Sequence, residues 1–243
     1  HAGQGEFPRW IAAPANPDEA LRLGAEAVQI SSQFQIPAFI LTDKTFSEGI
    51  YTGSSSLPRT EPTTKPGPTF PYNRYADHPD GISPVLSPPY PGESIKVNSY
   101  THDVRGITTE DPQVTRFMVE KRKRKQQVLC EYVDRPENIF IDGDKNATTG
   151  IICWGSVRGP VTEAIQTMSV RIISPLILEP FPKKSFLKAM EGVEKIILIE
   201  ESAMGQLDKI LREHGIVPDQ QILRYDGRPS AVEELEEQIR RYI

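Results

Sequence analysis

Histidines, cysteines and acidic pairs are the side chains from which catalysis or metal binding is most often built, and here they are scattered. The four histidines stand at 1, 78, 102 and 214, and Cys130 and Cys153 form no CxxC pair. That spacing supports neither a zinc site nor an iron–sulfur cluster held by this chain alone. His102-Asp103, in a loop that ends at Gly106, pairs a base with an acid. Adjacent residues of an extended chain point to opposite sides, so a hydrogen-bonded polar loop fits this pair better than general acid–base catalysis. Gly3-Gln4-Gly5 opens a Gly-rich turn flanked by Glu6 and Arg9. Pro8 occupies the place of the third glycine in a dinucleotide fingerprint, and the turn precedes a strand instead of following one. It is a tight turn whose flanking charges form either site groups or a plain surface pair.

Two further clusters fall at strand ends. Gly155-Ser156-Val157-Arg158-Gly159 lies between an apolar run and a helix pattern. That context suits an anion at a helix N-terminus, and it suits tight strand–helix packing better. Ser156 has no GxSxG setting, so it is not a nucleophile elbow. Glu200-Glu201 followed by Gly205-Gln206-Leu207 sits at the carboxyl edge of an expected sheet. There it serves either as a ligand or partner surface, or as solvated acids beside a helix that tolerates one glycine.

The elements that would position these groups divide the chain into three stretches. Residues 1–52 read as β-α-β. Arg9–Ala13 is a short apolar run, Asn16-Pro17-Asp18-Glu19 is a capping box with Pro at the first helical position, and Leu21, Ala25 and Val28 follow at helical spacing to an end near Phe34. Pro37–Thr42 is a continuous apolar run of the kind buried in a parallel sheet. One β-α-β unit has too little core to stand alone, so residues 1–52 must pack on other material.

Residues 53–127 are expected to be a Pro-rich arm and a basic helix. Prolines at 58, 62, 66, 68, 71, 79, 84, 88, 89 and 91 argue against regular structure, while Phe70, Tyr72, Tyr75, Tyr90 and Tyr100 argue for an arm that packs on a surface. A hairpin is expected at 98–106 and a helix at 111–127. That helix carries Lys121-Arg122-Lys123-Arg124-Lys125, a nucleic-acid signal or, as an acidic chain without interleaved aromatics favours, a solvated helix face.

Residues 128–243 alternate strands (151–154, 171–178, 195–200, 221–225) with helices, the last opened by a second capping box, Ser230-Ala231-Val232-Glu233. Regular alternation implies a mostly parallel sheet covered on both faces.

Composition removes several classes. The chain has 243 residues and a formal net charge of −5. No apolar run is long enough to span a bilayer, and two cysteines make no disulfide scaffold. Both thiols sit among apolar residues, as in a reducing, cytoplasmic compartment. The first residue is His1, not Met, so the N-terminus is expected to lie inside a longer gene product.

Several segments taken in order carry a family resemblance. They are residues 1–20, Ile36–Gly49, Tyr72-Asn73-Arg74-Tyr75, Asp80-Gly81-Ile82-Ser83-Pro84 with Pro91-Gly92, Thr101–Gly106, Met118–Lys125, Trp154-Gly155-Ser156, Pro175–Pro182, Glu200 with Gly205–Leu207, and Tyr225–Pro229. Together they resemble the alpha subunit of 2-oxoacid:ferredoxin oxidoreductases, most closely the 2-oxoglutarate type, over essentially the whole chain.

The resemblance implies an α/β fold in three parts. Residues 1–52 would be the C-terminal part of a pyrimidine-binding-type (thiamine diphosphate fold) domain, 53–127 the Pro-rich arm and basic helix, and 128–243 a transketolase C-terminal-like α/β sheet domain. It implies oxidative decarboxylation of a 2-oxoacid to an acyl-CoA, with electrons passed through iron–sulfur clusters elsewhere in the complex to ferredoxin. Thiamine diphosphate and Mg2+ would be held mainly by the partner beta subunit and not by this chain alone.

The family's catalytic and substrate motifs precede the Gly5–Arg9 region and are not in this sequence, so the resemblance places no catalytic residue and no metal ligand here. Gly3, Gly5, Glu6, Arg9, His102 and Asp103 would lie on the active-site side, and Glu200, Gly205, Gln206 and Leu207 at an interface. The sequence departs from the family at Val85, where Arg is usual, at Thr101, where an acid is usual, and at Ser202, where Asn is common. A non-catalytic subunit-interaction module or a divergent homologue is the alternative, and neither nucleic acid nor membrane is an expected partner.

Overall fold

The computed structural model describes residues 5–52 and 67–243. Within them the chain forms two compact units interleaved in sequence. One draws on residues up to Arg9, Val28–Ala38 and the stretch to Tyr132; the other on Trp10–Ala27, the stretch from Phe39 and Val133–Ile243.

The second unit contains a five-stranded sheet in the order β3-β5-β4-β7-β8. Its strands are β3 (Ile139–Gly143), β4 (Thr149–Cys153), β5 (Arg171–Pro175), β7 (Lys195–Glu200) and β8 (Gln220–Leu223). Strand β3 runs antiparallel to β5, whereas β4, β5, β7 and β8 pair in parallel. Side chains alternate across the pleat, so Ile151, Cys153, Ile172, Ile197 and Ile199 fill one face while Ile152, Ile173 and Leu198 fill the other. The first face is covered by α4 (Arg158–Ala164) and α7 (Val232–Arg240) through Val161, Leu235 and Ile239. The second is covered by α5 (Lys183–Ala189) and α6 (Gln206–Glu213) through Phe186, Leu207 and Leu211. This is the mostly parallel, doubly covered sheet that the strand–helix alternation implies.

A smaller sheet has the order β2-β1-β6, with β1 at Trp10–Ala12, β2 at Ala38–Ile40 and β6 at Ile177–Glu179. The run expected to be one strand over 171–178 is therefore two. At Leu176 the chain leaves one sheet for the other, and Leu176 donates to Asn138 O and accepts from Ala13 N. Strand β2 corrects the expectation of a buried parallel strand. It sits at the sheet edge, and Phe39, Ile40 and Leu41 are exposed.

Helix α1 spans Pro17–Phe34. Asn16 Oδ1 accepts from Glu19 N at 2.9 Å, as a capping box requires, but the Glu19 carboxylate reaches back one residue further, to Ala15 N at 2.9 Å. The buried stripe is Leu23, Ile30 and Phe34, with Glu26 between. Leu21 and Val28 are 37% and 69% exposed, so the stripe expected from them faces outward. After β2 comes the short α2 (Lys44–Glu48), capped by Asp43.

In the first unit α3 runs from Pro112 to Val133, longer than expected. Asp111 Oδ1 caps it by accepting from Gln113 N and Val114 N. Residues 67–111 hold little regular structure and pack on α3. The expected hairpin sits at 101–109 and not 98–106: His102 bridges Thr108 around a turn closed by Gly106 N to Asp103 O at 3.0 Å. No helix among the described residues is long and apolar enough to cross a membrane.

Candidate functional site

In the five-stranded sheet the strand order reverses beside β4. The chain leaves β4 for β5 on one side and leaves β7 for β8 on the other, so the loops after β4 and β7 diverge at their carboxyl ends. The two loops are joined by Glu200, whose side chain is buried. Its Oε2 accepts from the Trp154 indole Nε1 at 3.3 Å and from the Gln206 and Leu207 amides at 3.1 and 3.2 Å. The carboxylate thus caps α6 from outside the helix and meets the positive end of its dipole. Gly205 precedes α6 at φ +58, and a Cβ there would crowd Asp208 and Gln221 at 3.3 and 3.4 Å. Glu200 Oε1 is buried with no hydrogen-bond partner.

Glu201 turns the other way and accepts from Ser230 N at 2.8 Å and Ser230 Oγ at 2.9 Å. This overturns two expectations. The acids at 200–201 are not simply solvated, and Ser230 does not cap α7, which starts behind Ala231 with no side-chain cap. The Tyr225–Pro229 turn is a charge knot in which Asp226 accepts from Arg224, the Arg228 guanidinium and Arg228 N. Glu200, Gly205 and Leu207 are buried, and the surface they support is Gln206 with Glu201 and Met204.

Arg158, the first residue of α4, lies in the same unit. Its guanidinium pairs with Glu19 at 2.6 Å and lies 3.9 Å from the Phe140 ring centroid, while Nη1 has no partner. The tight-packing reading fails at Gly159, where a Cβ would meet nothing within 4 Å; Gly155 is required for its φ of +66. Removing one partner of a buried ion pair strands the other. Arg158→Met is therefore expected to cost about 3 kcal/mol in urea unfolding. The double variant with Glu19→Leu should recover part of that cost.

In the first unit His102 and Asp103 diverge. The His102 ring is buried against Tyr75 at 4.0 Å, with Nδ1 2.6 Å from Tyr100 O. Asp103 Oδ1 instead accepts from Arg105 N and Ile107 N within its own turn. Although some desolvation opposes them, these bonds and the Arg105 guanidinium hold its carboxyl below the usual range. The pair is a polar loop. Gly5 takes φ +77 in a tight turn, Glu6 is exposed, and Arg9 lies over the Phe7 ring at 4.4 Å. Gly3 lies outside the described residues.

The basic run is not a solvated face. Lys121 is buried and donates to Tyr75 O at 2.8 Å and Ser83 Oγ at 2.5 Å, and Arg124 pairs with Asp77. Among the described residues no three His, Cys, Asp or Glu side chains gather as a metal site.

No protein-family model matches the chain. Individual relatives do. A 2-oxoacid:ferredoxin oxidoreductase alpha subunit of Aeropyrum pernix is 30% identical over 94% of this chain and 37% of its own length. One of Saccharolobus solfataricus is 27% identical over 100% of this chain and 40% of its own. The 2-oxoglutarate oxidoreductase subunit KorA of Mycobacterium tuberculosis is 26% identical over 98% and 37%. The chain is homologous, over essentially its whole length, to 2-oxoacid:ferredoxin oxidoreductase alpha subunits. It spans about two fifths of the relatives' length. The solved 2-oxoglutarate:ferredoxin oxidoreductase from Magnetococcus marinus, with 2-oxoglutarate, coenzyme A and succinyl-CoA bound, shares the fold. That match has a TM-score of 0.81 at 22% identity, covering 98% of this chain and 43% of that one.

The α/β fold class that the alpha-subunit resemblance implies thus holds. The departures from the alpha-subunit pattern fall at separate places. Val85 is half-buried, Thr101 is exposed, and Ser202 Oγ accepts from Met204 N at 3.3 Å ahead of α6. Sequence reasoning missed the inward turn of Lys121, the Arg158–Glu19 pair and the Trp154–Glu200 link. A signal existed only for Lys121. Met118, Lys121, Lys125 and Leu129 recur at helical spacing, and the buried Met118 and Leu129 mark the inner face.

Proposed function

We propose that this chain is the C-terminal part of the alpha subunit of a thiamine-diphosphate-dependent 2-oxoacid:ferredoxin oxidoreductase. The assembled enzyme would oxidatively decarboxylate 2-oxoglutarate or a related 2-oxoacid to its acyl-CoA and reduce ferredoxin, in a cytoplasmic setting. The observation that carries this reading is that named alpha subunits match 94–100% of the chain.

The described residues do not fit a Mg2+–diphosphate cradle, since they gather no carboxylate, histidine or thiol set. In this reading thiamine diphosphate and Mg2+ would be held mainly by the beta subunit, and the iron–sulfur cluster would lie elsewhere in the complex. What this chain contributes is support. Its Gly5–Arg9 turn and the His102 loop would lie on the active-site side. The surface carried by Glu200 and Gly205, with Gln206 exposed on it, would contact a neighbouring subunit.

The test is co-expression of the chain with the beta subunit and the remaining alpha segment of the same source. Activity is read as 2-oxoglutarate- and coenzyme-A-dependent ferredoxin reduction, and composition by native mass spectrometry. Turnover by the assembly is expected, with no micromolar thiamine diphosphate binding by this chain alone. Failure to assemble would overturn the reading, and assembly without turnover would favour a non-catalytic interaction module.

A further inference from the structure

Helix α3 and the loop packed on it hold more positive charge than the described carboxylates beside it, Asp77 and Asp80, offset. Lys121 and Lys125 are four residues apart and so share a face. Lys121 is 5% exposed, and both its acceptors, Tyr75 O and Ser83 Oγ, are neutral. Lys125 is half-buried and has no ion-pair or hydrogen-bond partner among the described residues. Arg122 Nε is buried without a partner. Arg74 lies by the same Tyr75 that accepts from Lys121: its guanidinium is 5.2 Å from the Tyr75 ring centroid and spends one nitrogen on Gln35 Oε1 at 2.8 Å, and its charge acts on both lysines.

The two nearby carboxylates stabilise the charged lysines from a distance, but their hydrogen bonds go elsewhere. Asp77 is paired with Arg124, and Asp80 accepts from Ile82 N at 2.7 Å with His78 Nδ1 at 2.6 Å. Gly81 lies directly on the helix backbone between the lysines, since a Cβ there would stand 2.3 Å from Lys121 O and 2.8 Å from Lys125 N. The loop thus packs against the stretch of helix that carries both lysines. Unpaired cations held this way are expensive unless an anion joins them.

We propose that Arg74, Lys121 and Lys125 form a binding site for a small oxyanion, a phosphoryl or carboxylate group, entered past the half-buried Lys125. The remaining Lys121 proton, the Lys125 ammonium and the Arg74 nitrogens not given to Gln35 are the charge-assisted donors such a group would accept from. The electrostatics agree. Burial first, then the Lys125 charge, with Asp77 opposing and Arg74 adding to them, brings Lys121 down to about 8; burial, then Arg74, with Asp80 opposing and Arg122 adding, does the same to Lys125. A bound oxyanion would reverse both shifts. The inference stands apart from the enzyme reading, because it concerns only this chain's own side chains.

The test titrates the full chain with inorganic phosphate and, separately, with succinate at constant ionic strength, following lysine side-chain NMR signals. Saturable binding that raises the Lys125 pKa is expected. Lys125→Gln should weaken it about tenfold or more, and Lys125→Arg should retain it. Lys123→Gln, which removes an exposed lysine paired with Glu120, should leave it unchanged. Saturation by phosphate alone marks a phosphoryl ligand, and by succinate alone a carboxylate. No saturable binding of either, or an equal loss in Lys123→Gln, would overturn the proposal.

Discussion

Replacing Gly81 with alanine is expected to unseat residues 67–111 from α3 while leaving the five-stranded sheet intact. Two costs combine. Gly81 has φ +75, which a residue with a Cβ adopts only at some expense, about 1 kcal/mol. The larger cost is steric, because the new methyl would sit 2.3 Å from Lys121 O and 2.8 Å from Lys125 N. Both atoms belong to the backbone of a 22-residue helix and cannot give way as a side-chain tip would. The loop must move instead, taking with it the Ser83 acceptor of Lys121 and the Gln35–Ser83 O bond of 2.6 Å. The sum is about 3 kcal/mol or more, concentrated in one segment. Hydrogen exchange of peptides within 67–111 should rise sharply, and chymotrypsin should cut near Tyr72 and Tyr75, while β4 and β7 keep their protection. Gly92→Ala is the control. Its φ is also positive, at +83, but a Cβ there meets nothing within 4 Å, so only the smaller cost applies. Equal exchange in the Gly81→Ala and Gly92→Ala chains would refute the steric account.

That glycine marks the limit of what a sequence discloses. Positive φ at Gly81 is guessable from Asp80-Gly81, a common turn pair, but its fit against a helix forty residues later is not. Strands β4 and β7 and helix α6 were legible because their apolar runs are continuous and their flanking glycines and prolines are local signals. Strand β3 was missed because its apolar run, Ile139-Phe140-Ile141, is only three residues long before Asp142-Gly143, and its pairing partner β5 lies about thirty residues later in the chain. Pro175-Leu176-Ile177 read as uninterrupted strand, since nothing in an apolar run says that consecutive residues belong to different sheets. Helix α1 was placed correctly by its cap yet turned the wrong way. Leu21, Ala25 and Val28 and the true stripe Leu23, Ile30 and Phe34 both have helical spacing, and burial alone separates them.

The site divides along the same line. Charge on a helix reads as exposure, so Lys121 was expected in solvent until the helix gained a surface to face. At the sheet edge the position of Glu200-Glu201 at a strand end was visible, but their partners were not. Trp154 lies 46 residues away from Glu200, and Ser230 lies 29 from Glu201. Long-range polar partnerships have no period in the sequence. They follow from the order of strands, which the alternation of elements leaves open.

Glu200 is where that topology is most exposed to test, and Glu200→Ala is expected to cost about 3–4 kcal/mol. One carboxylate oxygen serves three donors, the Trp154 indole and the Gln206 and Leu207 amides, and the side chain is 1% exposed, so water cannot replace it. Its removal leaves the first amides of α6 and the indole buried without acceptors, and opens a cavity at the point where the loops after β4 and β7 part. Urea unfolding measures the global loss, and exchange at the Gln206 and Leu207 amides measures the local one. Glu200→Gln should cost less, about 1–2 kcal/mol, because an amide oxygen still accepts from the same donors while the favourable charge at the helix terminus is gone. A loss below about 1 kcal/mol for the alanine variant would mean that the three bonds do not hold α6. The consequence for assembly is separable. Gln206 is exposed and its side chain makes no hydrogen bond among the described residues. Gln206→Arg should therefore leave the urea midpoint unchanged yet weaken association with a neighbouring subunit if this edge is an interface. If Gln206→Arg assembles as the unaltered chain does, while Glu200→Ala alone fails, the cluster serves the stability of this sheet and the interface lies elsewhere.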